Sequence, residues 1–137
     1  MAINILRFVI PKSLVEYIDE DSTVRQALEK MLYHRYNAIP VIAKDGSYVG
    51  TLRNDDIFKY FLDTGSFDRT DAEDTPVTEI IDSGYGKALL HSASMKELIE
   101  SVKEHNLVPI VDDRGCFIGI ILRRDILNYL LAYFEDE

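Results

Sequence analysis

Tryptophan is absent from this chain, and cysteine occurs once, at Cys116. A lone cysteine cannot form an intramolecular disulfide and fits a reducing compartment. It stands in a predicted strand, where a small buried apolar residue is the ordinary reading. Three histidines occur, His34, His91 and His105, far apart and without metal-ligand spacing. Helix ends and surface are their expected places. Basic residues are also short: 15 Lys and Arg against 24 Asp and Glu leave a formal net charge of −9. That disfavours a nucleic-acid polymer or an anionic membrane as partner. No apolar run approaches the roughly 20 residues that span a bilayer. Residues 1–7 lack a basic region and a small-residue cleavage site, so the expected location is the cytoplasm. No P-loop, metal cluster or nucleophile beside a base is legible, and an enzyme is not expected.

What is present is an internal repeat. Ile39-Pro40-Val41-Ile42 matches Val108-Pro109-Ile110-Val111. Asp45-Gly46 matches Arg114-Gly115, and Tyr48-Val49-Gly50 matches Phe117-Ile118-Gly119. Asp56-Ile57 matches Asp125-Ile126, and Tyr60-Phe61-Leu62 matches Tyr129-Leu130-Leu131. The offset is a constant 69 residues without a gap, which makes the chain two copies of one unit. At 137 residues and 47% apolar content there is enough chain for one ordinary core. The acid is clustered at Asp19-Glu20-Asp21, at Asp68, Asp71, Glu73 and Asp74, and at Glu135-Asp136-Glu137. Solvated turns and ends are the expected places for such runs.

Taken in order, Phe8-Val9-Ile10 is a short apolar run and residues 14–18 read as a strand. Ser22 or Thr23 caps a helix with Val24, Ala27, Leu28, Met31 and Leu32 on its inner face. Residues 38–43 and 48–52 are strands about a Lys44-Asp45-Gly46-Ser47 turn. Asn54 or Asp55 caps a helix carrying Ile57, Phe58, Phe61 and Leu62. Residues 65–75 form a polar, acidic linker without periodicity, and Pro76 opens a short helix over 77–81 that Gly84-Tyr85-Gly86 breaks. Residues 87–90 are a strand, and Ser94-Met95-Lys96-Glu97 is a capping box for a helix with Leu98, Ile99 and Val102 inward. Strands at 107–111 and 116–122 and a terminal helix complete the second unit. Each unit is therefore βαββα. Two such units are expected to pack about a pseudo-twofold axis, with both strand-to-helix junctions in the crevice between them.

Those junctions carry the candidate chemistry. The second runs Leu122-Arg123-Arg124-Asp125 into a helical pattern. A helix start offers unpaired amides and a positive dipole end to an anion. Arginine adds planar phosphate donors, and aspartate can accept from ribose hydroxyls. A plain capping role for Asp56 and Asp125 stays open.

The order and repetition of these segments resemble a tandem cystathionine-β-synthase (CBS) domain pair, or Bateman module. The motifs are Tyr36-Asn37-Ala38-Ile39-Pro40-Val41, residues 50–57, Val108-Pro109-Ile110-Val111-Asp112 and residues 119–126. The resemblance implies a first repeat at 8–64, an acidic linker at 65–76 and a second repeat at 77–134. It implies that an adenine nucleotide (cyclic di-AMP, AMP or ATP) binds between the repeats as a regulatory ligand, with no cofactor required. Asp56 and Asp125 match ribose contacts; Ala38, Ile39 and Pro40, with Leu107, Val108 and Pro109, match the base pocket. Lys12, Arg53, Arg123 and Arg124 are the candidate phosphate contacts. The chain departs from the family's common Ser or Thr three residues before the Asp, where it has Arg53 and Leu122. The second unit is also one residue shorter from Leu98 to Pro109 than the first from Leu28 to Pro40. A homodimer through Ile57, Phe58, Phe61, Ile126, Leu130 and Tyr133, and an unidentified partner protein, are expected. The alternative is a ligand-free dimerisation or interaction module.

Overall fold

A computed structural model describes residues 3–65, 69–81 and 87–135. Asp68, Gly84-Tyr85-Gly86, Asp136 and Glu137 lie outside the described residues. The chain opens with a 3-10 turn at Ile5–Phe8, strand β1 (Ile10–Pro11) and a second 3-10 turn at Lys12–Leu14. The first βαββα unit follows as β2 (Ile18–Asp19), α1 (Val24–His34), β3 (Ala38–Ile42), β4 (Tyr48–Arg53) and α2 (Asn54–Thr64). Helix α3 (Arg69–Asp74) and a 3-10 turn at Val77–Glu79 come next. The second unit is β5 (Leu89–Leu90), α4 (Met95–Glu104), β6 (Leu107–Val111), β7 (Phe117–Leu122) and α5 (Arg123–Glu135). Among the described residues, no helix is long and apolar enough to cross a membrane.

Both first helices start on reciprocal caps. Thr23 Oγ1 accepts from the Gln26 amide at 3.2 Å while Gln26 Oε1 accepts from the Thr23 amide at 3.0 Å. Ser94 and Glu97 repeat the arrangement at 3.1 and 3.3 Å. Val24, Ala27 and Met31 are buried, but Leu32, expected inward, is exposed. It stands one position past Met31, off the inner stripe of a helix. Helix α1 has 11 residues and closes on Arg35 in the left-handed region, at φ 60°. Helix α4 has 10 and closes on an extended His105. Measured from the caps Thr23 and Ser94, the second unit is thus shorter by two residues, one in the helix and one at Arg35.

The sheets repeat each other residue by residue. Strand β3 pairs antiparallel with β4 as Ala38↔Arg53, Ile39↔Leu52 and Pro40↔Thr51. Strand β6 pairs with β7 as Leu107↔Leu122, Val108↔Ile121 and Pro109↔Ile120. Both hairpins carry a register shift at the equivalent step, Val41/Ile42 and Ile110/Val111. Strands β2 and β5 add parallel edges but reach only Val41–Ile42 and Ile110–Val111. The predicted strands at 14–18 and 87–90 shrink to these two-residue pieces. Leu14 is exposed in a 3-10 turn.

The chain forms two compact units, and the N-terminal residues up to Val15 belong with the second repeat. Residues 8–15, counted with the first repeat from sequence, therefore pack on the other one. Strand β1 pairs with the edge of β7 as Ile10↔Ile120 and Pro11↔Gly119. Ile5 is fully buried in the core of Leu98, Val108, Ile110, Ile121 and Ile126. Phe8 meets Tyr129 edge-on at 5.2 Å, and Arg7 lies over the Tyr129 ring. In the other unit, Val77, fully buried, joins the core of Ile18, Ala27, Met31, Ile39, Val41, Leu52 and Ile57. Each of Ile5 and Val77 contributes about 1.5–3 kcal/mol by burial. So the short segment ahead of each repeat closes the core of the other.

The linker is more ordered than its composition suggests. Helix α3 buries Ala72 against Val24 and Tyr60. Glu73 pairs with Arg25, and Tyr60 Oη meets Thr75 Oγ1 at 3.1 Å. Six residues are too few for a visible helical period, which is why the linker read as irregular.

Candidate functional site

Strand passes to helix without a loop at both junctions: β4 ends at Arg53 and α2 begins at Asn54, while β7 ends at Leu122 and α5 begins at Arg123. Each helix start is tied to the turn before the central strand. The Asn54 amide donates to the Asn37 carbonyl at 3.0 Å, and the Arg123 amide to the Asn106 carbonyl at 2.9 Å. In the first copy the side chains clasp as well, Asn54 Nδ2 to Asn37 Oδ1 at 3.0 Å. Cross-strand pairing then sets Ala38 beside Arg53 and Leu107 beside Leu122. The structure thus brings together, within each unit, the start of the central strand and the start of the last helix.

The aspartates are the third helical residues, not the N-caps. Asp56 is buried, and its Oδ2 accepts from the Arg53 amide at 2.9 Å. This is one half of a capping box; the other half is missing because a guanidinium has no acceptor. The expected cap, Asn54 or Asp55, is corrected to Arg53. Asp125 is half-buried. Arg123 is also half-buried, and its Nε donates to the Val102 carbonyl at 2.6 Å. Val102 lies in the last turn of α4, whose final carbonyls have no intrahelical donor, so a cation there is favourable. Arg124 is exposed, with no hydrogen bond or ion pair among the described residues. Arg53 is half-buried at the end of β4. Lys12, half-buried, sits in the turn packed against β7.

The base-pocket residues divide. Ile39 is fully buried and Val108 is 1% exposed, each inside its own unit's core. Their side chains therefore face the core and cannot line an open pocket. Pro40 and Pro109 are buried too, while Ala38 and Leu107 are half-buried. What remains for a ligand is backbone. Among the described residues, the parallel partners β2 and β5 stop short of residues 38–40 and 107–109, so that edge carries no ladder. An unpaired strand edge offers amides and carbonyls to whatever lies beside it.

The sequence carries Asn37 within a motif but assigns no role to it or to Asn106, whose carbonyls hold the two helix starts. They stand at the same 69-residue offset as the rest of the repeat, three positions before the prolines. Extending the repeat match upstream pairs the two and marks them as equivalent. Tyr33 is 84% exposed, and Tyr36 stacks on His34. The resolved carboxylate shifts near the hairpins have local causes. Hydrogen bonds from Ser47 hold the Asp45 carboxyl below its ordinary range, and amide donation from Cys116 does the same for Asp112.

Comparison with known proteins gives the following. A family model described as "CBS domain" matches residues 10–63 and 88–132. The UPF0053 protein YugS of Bacillus subtilis is 26% identical over 132 residues, covering 94% of this chain and 28% of its own length. The chain thus spans little more than a quarter of that relative. A crystal structure of Listeria monocytogenes CbpB in complex with c-di-AMP superposes with a TM-score of 0.86 at 18% identity, over 98% of this chain and 100% of that one. A structure of CBSX2 in complex with AMP superposes at 0.77 and 17% identity, over 95% and 97%. At these identities the superpositions establish the fold.

Proposed function

The chain belongs to the CBS domain family, as a pair of repeats, and from that membership we propose that it is a small cytoplasmic regulatory module that binds an adenine nucleotide. The observation that carries the reading is the repeated strand-to-helix junction, where an unladdered strand edge stands beside a helix start with Arg123, Arg124 and Asp125. The strand edge reads the base through its backbone groups. Asp125 accepts from a ribose hydroxyl, and the arginines and first helical amides meet phosphate. Solved proteins of the same fold carrying c-di-AMP or AMP support the ligand class. Two adjacent arginines, without the family's usual hydroxyl, favour cyclic di-AMP over AMP and ATP. The module has no catalytic step; it works by transmitting the bound state to a partner protein.

Assembly is part of the proposal. The exposed apolar residues of the last helices fall at equivalent positions, Phe58 and Leu62 on α2 and Leu127 and Leu131 on α5, with Phe134 beyond. A second copy covers them in a twofold homodimer. Ile57 and Ile126, expected in this interface, are core residues, and Phe61 and Leu130 are half-buried against the cores.

Thermal denaturation with AMP, ATP, cyclic di-AMP and GMP tests the ligand. A ligand at a hundred times its Kd stabilises by about 2.7 kcal/mol, which raises the midpoint by several degrees. At least one adenine nucleotide does so and GMP does not. No shift with any of them leaves the ligand-free dimerisation module, which Leu122 and the exposed apolar ridges favour.

A further inference from the structure

We infer that the second unit carries a docking site for an acidic peptide segment of a partner protein, in the cavity between the N-terminal 3-10 turn and the start of α4. The first unit shows the chemistry of the occupant, because there helix α3 and the residues after it engage the equivalent groups. The inference rests on the partner-protein part of the proposed function and is independent of the nucleotide.

Counted from the caps Thr23 and Ser94, Ser22 matches Ala93, Val24 matches Met95 and Arg25 matches Lys96. Each unit also holds a 3-10 turn that opens on a buried core residue, Val77 in the first and Ile5 in the second. In the first unit these groups are all engaged. The Val24 amide donates to the Thr75 carbonyl at 2.8 Å, and the Val77 amide to the Ser22 carbonyl at 2.9 Å. Arg25 pairs with Glu73 of α3, and Ala72 is buried against Val24. In the second unit, among the described residues, the Met95 amide and the Ala93 carbonyl have no backbone partner and Lys96 has no ion pair. A cavity of about 880 Å³ stands there, walled by Ile3, Leu6, Ala93 and Met95, with His91 and Lys96 at its edge. His91 Nε2 lies 3.4 Å from Asp113 Oδ1, which leaves Lys96 as the uncommitted cation. No carboxylate lines the cavity among the described residues, although acids outnumber bases 24 to 15 in the chain. An occupant must bring what residues 72–75 bring to the first unit: a carboxylate for the cation, a small apolar side chain for the wall and a carbonyl for the first helical amide. A short acidic stretch of polypeptide brings all three, and a lone carboxylate brings one.

Amide chemical-shift titration of the full chain tests this with a blocked peptide copying residues 71–77. A second peptide, with Lys in place of its Glu, and acetate are the controls. The first peptide shifts the amides of Leu6, Ala93, Met95 and Lys96 and saturates at one per chain. The Lys peptide and acetate bind about fivefold more weakly or worse. Lys96→Glu weakens the Glu peptide by about fivefold and strengthens the Lys peptide by a similar factor, since an exposed pair is exchanged for a repulsion and the reverse. Lys96 is exposed, and an acid in the first turn of α4 suits the helix dipole, so the variant keeps the wild-type melting midpoint. No shift at these amides, shifts on α1 or α2 instead, a Lys96→Glu variant that binds both peptides as wild type does, or acetate as effective as the peptide would each overturn the inference. None of these outcomes bears on the nucleotide reading, which the thermal panel decides.

Discussion

Arg123 Nε donates to the Val102 carbonyl at 2.6 Å, tying the first residue of α5 to the last turn of α4. The arginine proposed as a ligand contact is thus a structural clamp. A half-buried hydrogen bond from a charged donor is worth about 1.5–3 kcal/mol. Arg123→Ala should lower the unfolding free energy by roughly that amount in urea titration. Arg124→Ala, on an exposed side chain, should stay within about 0.5 kcal/mol of wild type. Equal effects of the two would mean that the clamp contributes nothing.

The segment exchange gives a second prediction. A Cβ on Gly119 would stand 2.2 Å from the Ile10 carbonyl oxygen and 2.7 Å from Val9 Cγ1. Backbone cannot step aside as a side chain can, so Gly119→Ala should displace β1 and cost about 1–3 kcal/mol or more. At Gly50 the nearest obstacle is Ile81 Cγ2 at 2.8 Å, the end of a flexible side chain. Gly50→Ala should therefore cost less. Amide exchange at Ile10 and Ile120 is the readout. Wild-type protection in Gly119→Ala would show that close approach is not what fixes β1.

Acid should destabilise the protein partly through the hairpin turns. Asp112 Oδ1 accepts from the Cys116 and Arg114 amides, both at 2.9 Å. These donors hold its carboxyl below the ordinary Asp value of 3.8. A depressed folded pKa means that the ionised form favours the fold. The contribution is complete above the unfolded value and is lost as pH falls through the folded one. Asp112→Asn should be less stable than wild type at pH 7, and the gap should narrow below about pH 4. A gap that stays constant with pH would remove the carboxylate as its cause.

The repeat made the fold legible because it doubled each weak signal. Neither Val-Pro-Ile-Val nor Asp-Ile says much alone; their recurrence at one offset fixes strand, hairpin and helix. Capping chemistry was readable as a box at Ser94; at the first helix the sequence left Ser22 and Thr23 open, and the structure selects Thr23 with Gln26. The exchange of residues 3–11 onto the second repeat was not legible. It depends on a glycine meeting a segment over a hundred residues away, which no local pattern encodes. The site was half legible. Charge at the junction can be read from sequence, but Asp56 bonding to the Arg53 amide and Arg123 to Val102 are matters of geometry. Ile39 and Val108 were placed at a pocket because they precede prolines, yet strand alternation sends them inward.

Exposure on the last helices leads to the prediction about assembly. Phe58 and Leu62 on α2 are each 62% exposed, and Leu127 and Leu131 on α5 are 55% and 56% exposed. Spacing of four residues puts each pair on one helical face. Leaving four large apolar side chains in water forgoes about 1.5–3 kcal/mol for each that a partner could bury fully. Static light scattering at micromolar concentration should give about twice the 15.7 kDa of one chain. Phe58→Glu with Leu131→Glu should reduce the mass to that of one chain, since each places a charge in an apolar contact. Melting should fall only through the lost association, because neither side chain belongs to a core cluster. A wild-type mass of one chain, independent of concentration, would overturn the dimer.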